Sequence, residues 1–251
     1  MADTGTDGIG AADTGTERRL RVIARIHTEF PAKFGIPRQS GLVEELRGEI
    51  VLEPEYRRPE ALYGIEEFSH LWLLWDFSEA RRENWSATVA PPRLGGREKR
   101  GVFATRSPFR PNSIGLSCVR LQEVCWEGED CPKLIVAGAD LMDGTPIYDI
   151  KPYLPYADAH PEASGGFGQA HSGDGIEVEF PEELLHRLPE EKRRAALQVL
   201  QQDPRAAYHK KPDYVYGMEF AGFDIRFTVE NDVLLVRDVI STAGQDWENI
   251  K

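Results

Sequence analysis

Arg106 and Arg110 stand four residues apart in the run Thr105-Arg-Ser-Pro-Phe-Arg-Pro-Asn-Ser-Ile-Gly-Leu116. A guanidinium grips a carboxylate or a phosphate through two parallel hydrogen bonds. Pro108, Pro111 and Gly115 give this run an extended, turn-rich path that cannot be helix. Asn112 both donates and accepts, as the edge of adenine requires. The chemistry suggested is recognition of an anion or a nucleoside. The surrounding charge points the same way. Between Ser86 and Cys125, Arg93, Arg97, Lys99, Arg100, Arg106, Arg110 and Arg120 face only Glu98 and Glu123, a net +5 inside a chain of net −12. Such a patch attracts a polyanion while the acidic remainder repels non-specific contact. A solvated basic face balanced by nearby acids has the same composition.

Three further clusters carry chemistry-bearing residues. Asp140 closes an apolar stretch, and Asp143-Gly144 follows it. This is turn chemistry, or a strand-end carboxylate facing a pocket, where it could hold ribose hydroxyls or an amino group. Pro37-Arg-Gln-Ser-Gly-Leu42 is a second polar turn. Gln202-Asp-Pro-Arg-Ala-Ala-Tyr208, followed by His209-Lys210-Lys211, crowds an acid, bases and an aromatic at one helix end, where bases also complement the helix dipole.

Several classes are excluded. There is no GxGxxG, no GxxxxGK[ST] and no GxSxG, which argues against a Rossmann-type cofactor site, a P-loop and a nucleophile elbow. Cys118, Cys125 and Cys131 form no CxxC pair, and the six histidines lack HxxxH and HExxH spacing. Neither a disulfide framework nor a structural metal is expected, and reduced thiols fit a cytoplasmic protein. No apolar run approaches the roughly 20 residues of a membrane span, and no secretory signal is expected. The apolar share of 41% is that of a globular protein.

These groups need elements to position them. Leu20, Val22, Ala24 and Ile26 alternate with Arg21, Ile23, Arg25 and His27, the period of a half-buried strand. Further strands are expected at 50–53, 101–105, about 114–124 and 134–139. His70–Phe77 is apolar at nearly every position, which predicts a strand buried on both faces. Short strands with turn-rich connections read as an antiparallel sandwich or barrel. The Pro-, Gly- and Ala-rich run 155–175 reads as a linker or mobile loop. Pro181–Gln202 predicts helix interrupted at Pro189. Phe223–Val229 and Val233–Val239 around Asn231-Asp232 predict a hairpin.

Six ordered motifs then carry a resemblance: PRQSG at 37–41, EEFSHLW at 66–72, PPRLGG at 91–96, GVFATRSPFRPNSIGLS at 101–117, DGTPIYDIKPYLPYAD at 143–158 and DPRAAY at 203–208. Over roughly residues 20–240 the chain resembles the TsaA/TrmO-type (YaeB-like) tRNA methyltransferase family. The resemblance implies a mainly β protein, an antiparallel β-barrel catalytic domain with a small α+β C-terminal domain. The division is a leader at 1–17, the barrel over 18–158, a linker or mobile loop over 159–175 and the α+β domain over 176–245. It implies S-adenosyl-L-methionine as cofactor and a homodimer with the cofactor near the subunit interface, while the cysteine and histidine spacing already predicts no metal. The reaction implied is methylation of N6 on threonylcarbamoyl-adenosine beside the anticodon of threonine tRNA.

Carried over to this sequence, Gln39, Ser40, Gly41, Phe77, Ser78, Arg106, Asn112, Leu116, Ala139, Asp140 and Leu141 are expected at the cofactor. Asp203, Arg110 and Tyr208 are the catalytic candidates. Arg93, Arg97, Lys99, Arg100, Arg205, Lys210 and Lys211 are the candidates for tRNA contact. Ser113 and Ala206 stand where the family often has proline, which loosens two loops and leaves the charged groups intact. Methylation of another RNA or of a small molecule on the same barrel, and a non-catalytic RNA-binding module, are the alternatives.

Overall fold

The computed structural model describes residues 19–80, 85–91, 98–169, 175–205 and 214–242. The 1–17 leader, Arg93, Arg97, Tyr208, Lys210 and Lys211 lie outside the described residues.

Six strands close into a barrel. They are β1 (Ala24–Thr28), β2 (Arg47–Leu52), β3 (His70–Asp76), β6 (Ile114–Cys125), β7 (Lys133–Ala137) and β8 (Thr145–Pro152), in the order β1-β2-β7-β6-β3-β8. Every pairing in the ring is antiparallel. Period-2 alternation sends Ala24, Ile26, Ile50, Leu71, Leu73, Val119, Leu134, Val136 and Ile147 inward as one core. Of the sandwich and the barrel that the sequence left open, the closed barrel forms, and closure leaves no sheet edge unpaired.

Two local expectations are corrected. β3 is not buried on both faces. Leu71, Leu73 and Trp75 are buried, but Trp72 on the other face is only partly covered; its indole donates to Asp158 at 3.0 Å and its ring lies 5.7 Å from Tyr153. An aromatic with a polar handle sits at a half-wet surface as readily as in a core, so apolar composition overstated burial. Residues 101–105 are not a strand either. Arg100–Gly101 (β5) pairs briefly with Thr88–Val89 (β4), and Val102–Ala104 then turns as a 3-10 helix.

The second unit is a four-stranded sheet in the order β10 (Tyr216–Phe220), β11 (Phe223–Glu230), β12 (Val233–Ser241) and β9 (Glu177–Glu179). Asn231 and Asp232 join β11 to β12 with φ of 50° and 61°, the backbone of a primed hairpin turn. Two single-turn helices, α1 (Pro155–Asp158) and α2 (Gly166–Gln169), lie in the Pro- and Gly-rich run. The expected helix breaks at Pro189 into α3 (Glu182–Leu185) and α4 (Glu190–Gln201), because proline lacks the amide that would continue the ladder.

The connection between β1 and β2 reaches across. Phe30, Val43 and Leu46 belong to the core formed by α4 and the second sheet. Glu29 pairs with Lys192, Glu45 with Arg194, and Arg38 Nη2 donates to the Asp203 carbonyl at 3.1 Å. The Gln39-Ser40-Gly41 turn therefore sits on a segment anchored in both cores. Gly41 N–H donates to the Gly138 carbonyl at 2.8 Å, and a Cβ on Gly138 would lie 3.3 Å from the Gly41 backbone. Both glycines have positive φ, 78° and 77°, which favours glycine at each, and the close approach adds a spatial reason at Gly138.

Candidate functional site

At this end of the barrel lies a cavity of about 620 Å³. Its walls are the Ile36–Gln39 turn, the end of β3 running on to Ala80, the Thr105–Asn112 loop, the start of β6 and the stretch Asp140–Met142. Of the eleven cofactor candidates, Gln39, Phe77, Ser78, Arg106, Asn112, Leu116, Asp140 and Leu141 line it. Ser40, Gly41 and Ala139 are behind the wall. The Ser40 hydroxyl accepts from the Cys118 amide at 3.0 Å, Gly41 fixes the turn, and Ala139 is 2% exposed.

The Thr105–Asn112 loop braces itself. The Ser107 amide donates to Thr105 Oγ1 at 3.2 Å, the Phe109 amide to Ser107 Oγ at 3.2 Å, and Ser113 Oγ to the Pro108 carbonyl at 3.1 Å. Arg110 Nη1 donates to the Thr105 carbonyl at 3.0 Å, which holds this cavity-lining arginine against its own loop. Arg106 Nη1 donates to Gln39 Oε1. That bond ties two walls 67 residues apart in sequence.

The cavity floor is a polar relay set in an apolar core. Trp75 pairs with Gly115 across β3 and β6, and a Cβ at Gly115 would lie 2.2 Å from the indole. Glycine is thus required there by space. The indole Nε1 donates to Ser117 Oγ at 2.9 Å, and Ser117 Oγ donates to Asp140 Oδ1 at 2.6 Å. Ser117 is fully buried, so its hydroxyl needs both partners.

Burial pushes the Asp140 carboxyl above its ordinary value of 3.8; the Ser117 hydroxyl, its own amide, the Arg106 guanidinium and the Ser40 amide pull the other way. An acid with a raised folded value binds its proton more tightly folded than unfolded. Its contribution to stability is full below 3.8 and is lost as pH rises through the folded value. Asp140→Asn cannot ionise. It is expected to gain stability relative to the parent as pH rises above 3.8, measured by denaturant titration at several pH values. A difference independent of pH would contradict this.

Other candidates lie nearby. Asp203 and Arg205 do not line the cavity. Arg205 Nε and Nη2 donate to the two Asp203 carboxylate oxygens at 2.8 and 2.9 Å, and this guanidinium is 8% exposed. The pair is joined to the cavity rim through Arg38. Lys99 is exposed and Arg100 partly so, with Arg100 paired to Glu98 at 2.6 Å. Sequence reasoning missed Trp75, Ser117 and Asp76. Asp76 lines the cavity at 4% exposure; a lone acid closing the apolar run of β3 was its signal.

A volume of this size is in the range of small-molecule sites. Flat rings at Trp75 and Phe77, aliphatic Leu116 and Leu141, and acids at Asp76 and Asp140 suit a ligand with a nucleobase and cationic groups. The residues present therefore fit S-adenosylmethionine. Among the described residues no three His, Cys, Asp or Glu side chains gather closely enough to hold a metal ion.

Residues 25–159 match the family model described as tRNA-methyltransferase O N-terminal domain, and 174–242 match the TrmO C-terminal domain. The chain is 43% identical over 215 residues to the tRNA (adenine(37)-N6)-methyltransferase of Escherichia coli, covering 82% of this chain and 91% of that protein. It is also 43% identical over 233 residues to the putative S-adenosylmethionine-dependent methyltransferase RcsF of Pseudomonas aeruginosa, covering 89% and 97%. A crystal structure of TrmO from Pseudomonas aeruginosa superposes with a TM-score of 0.70 at 37% identity, covering 90% of this chain and all of that one.

Proposed function

The chain belongs to the tRNA-methyltransferase O family, and from that premise we propose that it is an S-adenosylmethionine-dependent methyltransferase acting on N6 of threonylcarbamoyl-adenosine beside the anticodon of threonine tRNA. The observation that carries the reading is the rigid, arginine-bearing cavity with a buried acid on its floor. Relatives named for methylation of adenine 37 in tRNA support it.

When bound, S-adenosylmethionine supplies an electrophilic methyl group on a sulfonium centre. The chain's own residues do the rest. Gln39, Phe77, Ser78, Asn112, Leu116, Asp140 and Leu141 hold the cofactor, with Arg106 fastening the turn to the loop. Ser40, Gly41 and Ala139 support them from behind. N6 of the modified base is part of a urea-like group, so its lone pair is delocalised and it is a poor nucleophile. Alignment supplies much of the rate, and removal of the N6 proton by a placed carboxylate typically adds about 10²–10⁴-fold. Arg110 grips the threonyl carboxylate or an anticodon-loop phosphate. The DPRAAY motif, with Asp203, Arg205 and Tyr208, approaches the modified base.

Lys99 and Arg100, with Arg93, Arg97, Lys210 and Lys211, form the tRNA surface in this proposal; the expected contact from Arg205 is corrected, because its side chain is 8% exposed and held by Asp203. Binding is then strongly salt-dependent, because each neutralised phosphate releases counterions. Affinity is expected to fall on the order of tenfold or more between 50 and 200 mM salt, measured by filter binding, and a flat response rejects the surface. We further propose a homodimer in which a second copy closes over the cavity wall formed by Ile114 and Leu116, which are 36% and 50% exposed. Sedimentation equilibrium checks it. Three free cysteines support a cytoplasmic protein.

Transfer of labelled methyl to threonine tRNA, with and without its threonylcarbamoyl group, tests the activity. Incorporation into the modified tRNA alone is expected. Equal incorporation into both would move the acceptor elsewhere.

A further inference from the structure

Two aromatic rings stand beside the cavity with most of their surface in solvent. Phe103 is 72% exposed and Trp85 is 53% exposed; their centroids are 6.2 Å apart and their planes 29° from parallel. A scattered exposed ring is ordinary. Two held face to face in water leave a flat apolar surface uncovered.

The backbone fixes that surface in place. Phe103 is the middle residue of the 3-10 turn Val102–Ala104. Val102 beneath it is 1% exposed, and its amide donates to the Ala87 carbonyl at 2.9 Å. Thr105 Oγ1 closes the turn on the Val102 carbonyl at 2.8 Å. The chain thus spends a buried valine and two hydrogen bonds to project a ring outward.

Its charge identifies the occupant. Arg110, which lines the cavity, has its guanidinium carbon 6.0 Å from the Phe103 centroid. Arg100 sits likewise 6.0 Å over Phe167. A ring with a guanidinium over it offers a π-face for a base and a cation for the phosphate beside it, which is how single-stranded nucleic acid is held. Because Arg110 is common to rim and cavity, a strand delivering one base to the cavity passes the rings with its neighbour.

We infer that Trp85 and Phe103 form a stacking shelf for the unpaired nucleobase adjacent to the one that enters the cavity. The inference rests on the RNA reading given above and adds a subsite to it. Stacking reads no base edge, so the shelf tolerates any base and adds affinity rather than sequence choice.

The test uses the full chain with an anticodon stem-loop RNA and with threonylcarbamoyl-modified tRNA. Phe103→Ala is expected to raise KM for the modified tRNA by roughly tenfold. Its kcat is expected to stay within about twofold, the pattern of lost uniform binding, with unchanged calorimetric affinity for S-adenosylmethionine. Phe103→Tyr, which keeps the π-face, restores KM. The stem-loop is expected to quench tryptophan fluorescence, and Trp85→Phe is expected to lose the share contributed by Trp85, leaving that of the cavity-lining Trp75. An unchanged KM in Phe103→Ala overturns the shelf, as does quenching of undiminished size in Trp85→Phe. Dissociation of a dimer in Phe103→Ala without a change in KM would give the surface to a second copy of the chain instead. If the parent protein transfers no methyl group, the functional proposal fails by itself, and the quenching arm still decides whether RNA stacks on Trp85.

Discussion

Asp140→Ala is expected to weaken S-adenosylmethionine binding by about thirtyfold or more. Truncating one member of a buried, hydrogen-bonded charge pair costs about 2–5 kcal/mol, and each 1.4 kcal/mol is about tenfold in affinity. Asp140 lines the cavity at the end of the apolar stretch after β7, and a cationic ligand there would recover the charged form that burial opposes. The same substitution takes the acceptor from Ser117, whose hydroxyl is fully buried and donates to Asp140 at 2.6 Å. An orphaned buried donor costs about 1–3 kcal/mol, so the melting temperature falls as well. Asp140→Asn separates the two effects. It keeps an acceptor for Ser117 and loses the charge, so it retains most of the stability and loses most of the affinity. Calorimetry with thermal melts reads both, and parental affinity in the Asn variant would remove Asp140 from the cofactor's binding.

Asp203→Ala is expected to produce the largest loss of stability. It leaves the Arg205 side chain, 8% exposed, without the carboxylate that accepts from its Nε and Nη2. The Asp203 side chain is 27% exposed, so the cost falls between that of a surface pair and the roughly 3–5 kcal/mol of a fully buried one, about 2–3 kcal/mol. Arg205→Lys does not restore the arrangement, because an ammonium cannot make the two-pronged contact. The midpoint of denaturant unfolding checks this, and a shift of a few tenths of a molar or less would contradict it. Asp203→Asn asks a separate question. Both oxygens of Asp203 already accept from Arg205, so taking the N6 proton would cost a bond of the pair. Single-turnover methyl transfer at the parental rate in Asp203→Asn would assign the Asp203 side chain to holding Arg205, and proton removal to another carboxylate.

Much of the fold is legible where one residue decides the backbone. Pro189 ends α3's course and starts α4, and Asn231-Asp232 reverse β11 into β12. Strands with strict alternation, such as β1 and β11, emerge from the period alone. β8 does not. Asp143-Gly144 is indeed a turn, with Gly144 at φ 73°, but Thr145-Pro-Ile-Tyr has a proline and no alternation. Its strand character comes from pairing with β1 and β3, which closes the barrel. Residues 101–105 fail in the opposite sense: β-compatible side chains take a 3-10 turn because Val102 is pulled under the loop.

The site divides along the same line. Arg106, Arg110, Asn112 and Asp140 are visible as residue types in a stiff or strand-end context. The bond from Arg106 to Gln39 spans 67 residues and is set by barrel closure, which no local pattern encodes. Ser117 is hidden for another reason. It is one polar residue on the inward face of β6, between Gly115 and Val119, and only the facing Trp75 and Asp140 give it a function. Tertiary partners, not spacing, make that relay.

The proposed activity requires S-adenosylmethionine to sit in the cavity at the barrel end. Crystals of the full chain grown or soaked with S-adenosylmethionine test it most directly. Electron density bounded by Gln39, Arg106, Leu116 and Asp140 is the predicted result. An empty cavity with the ligand in another crevice, such as the one between Glu29, Asp143 and Glu219, would contradict it.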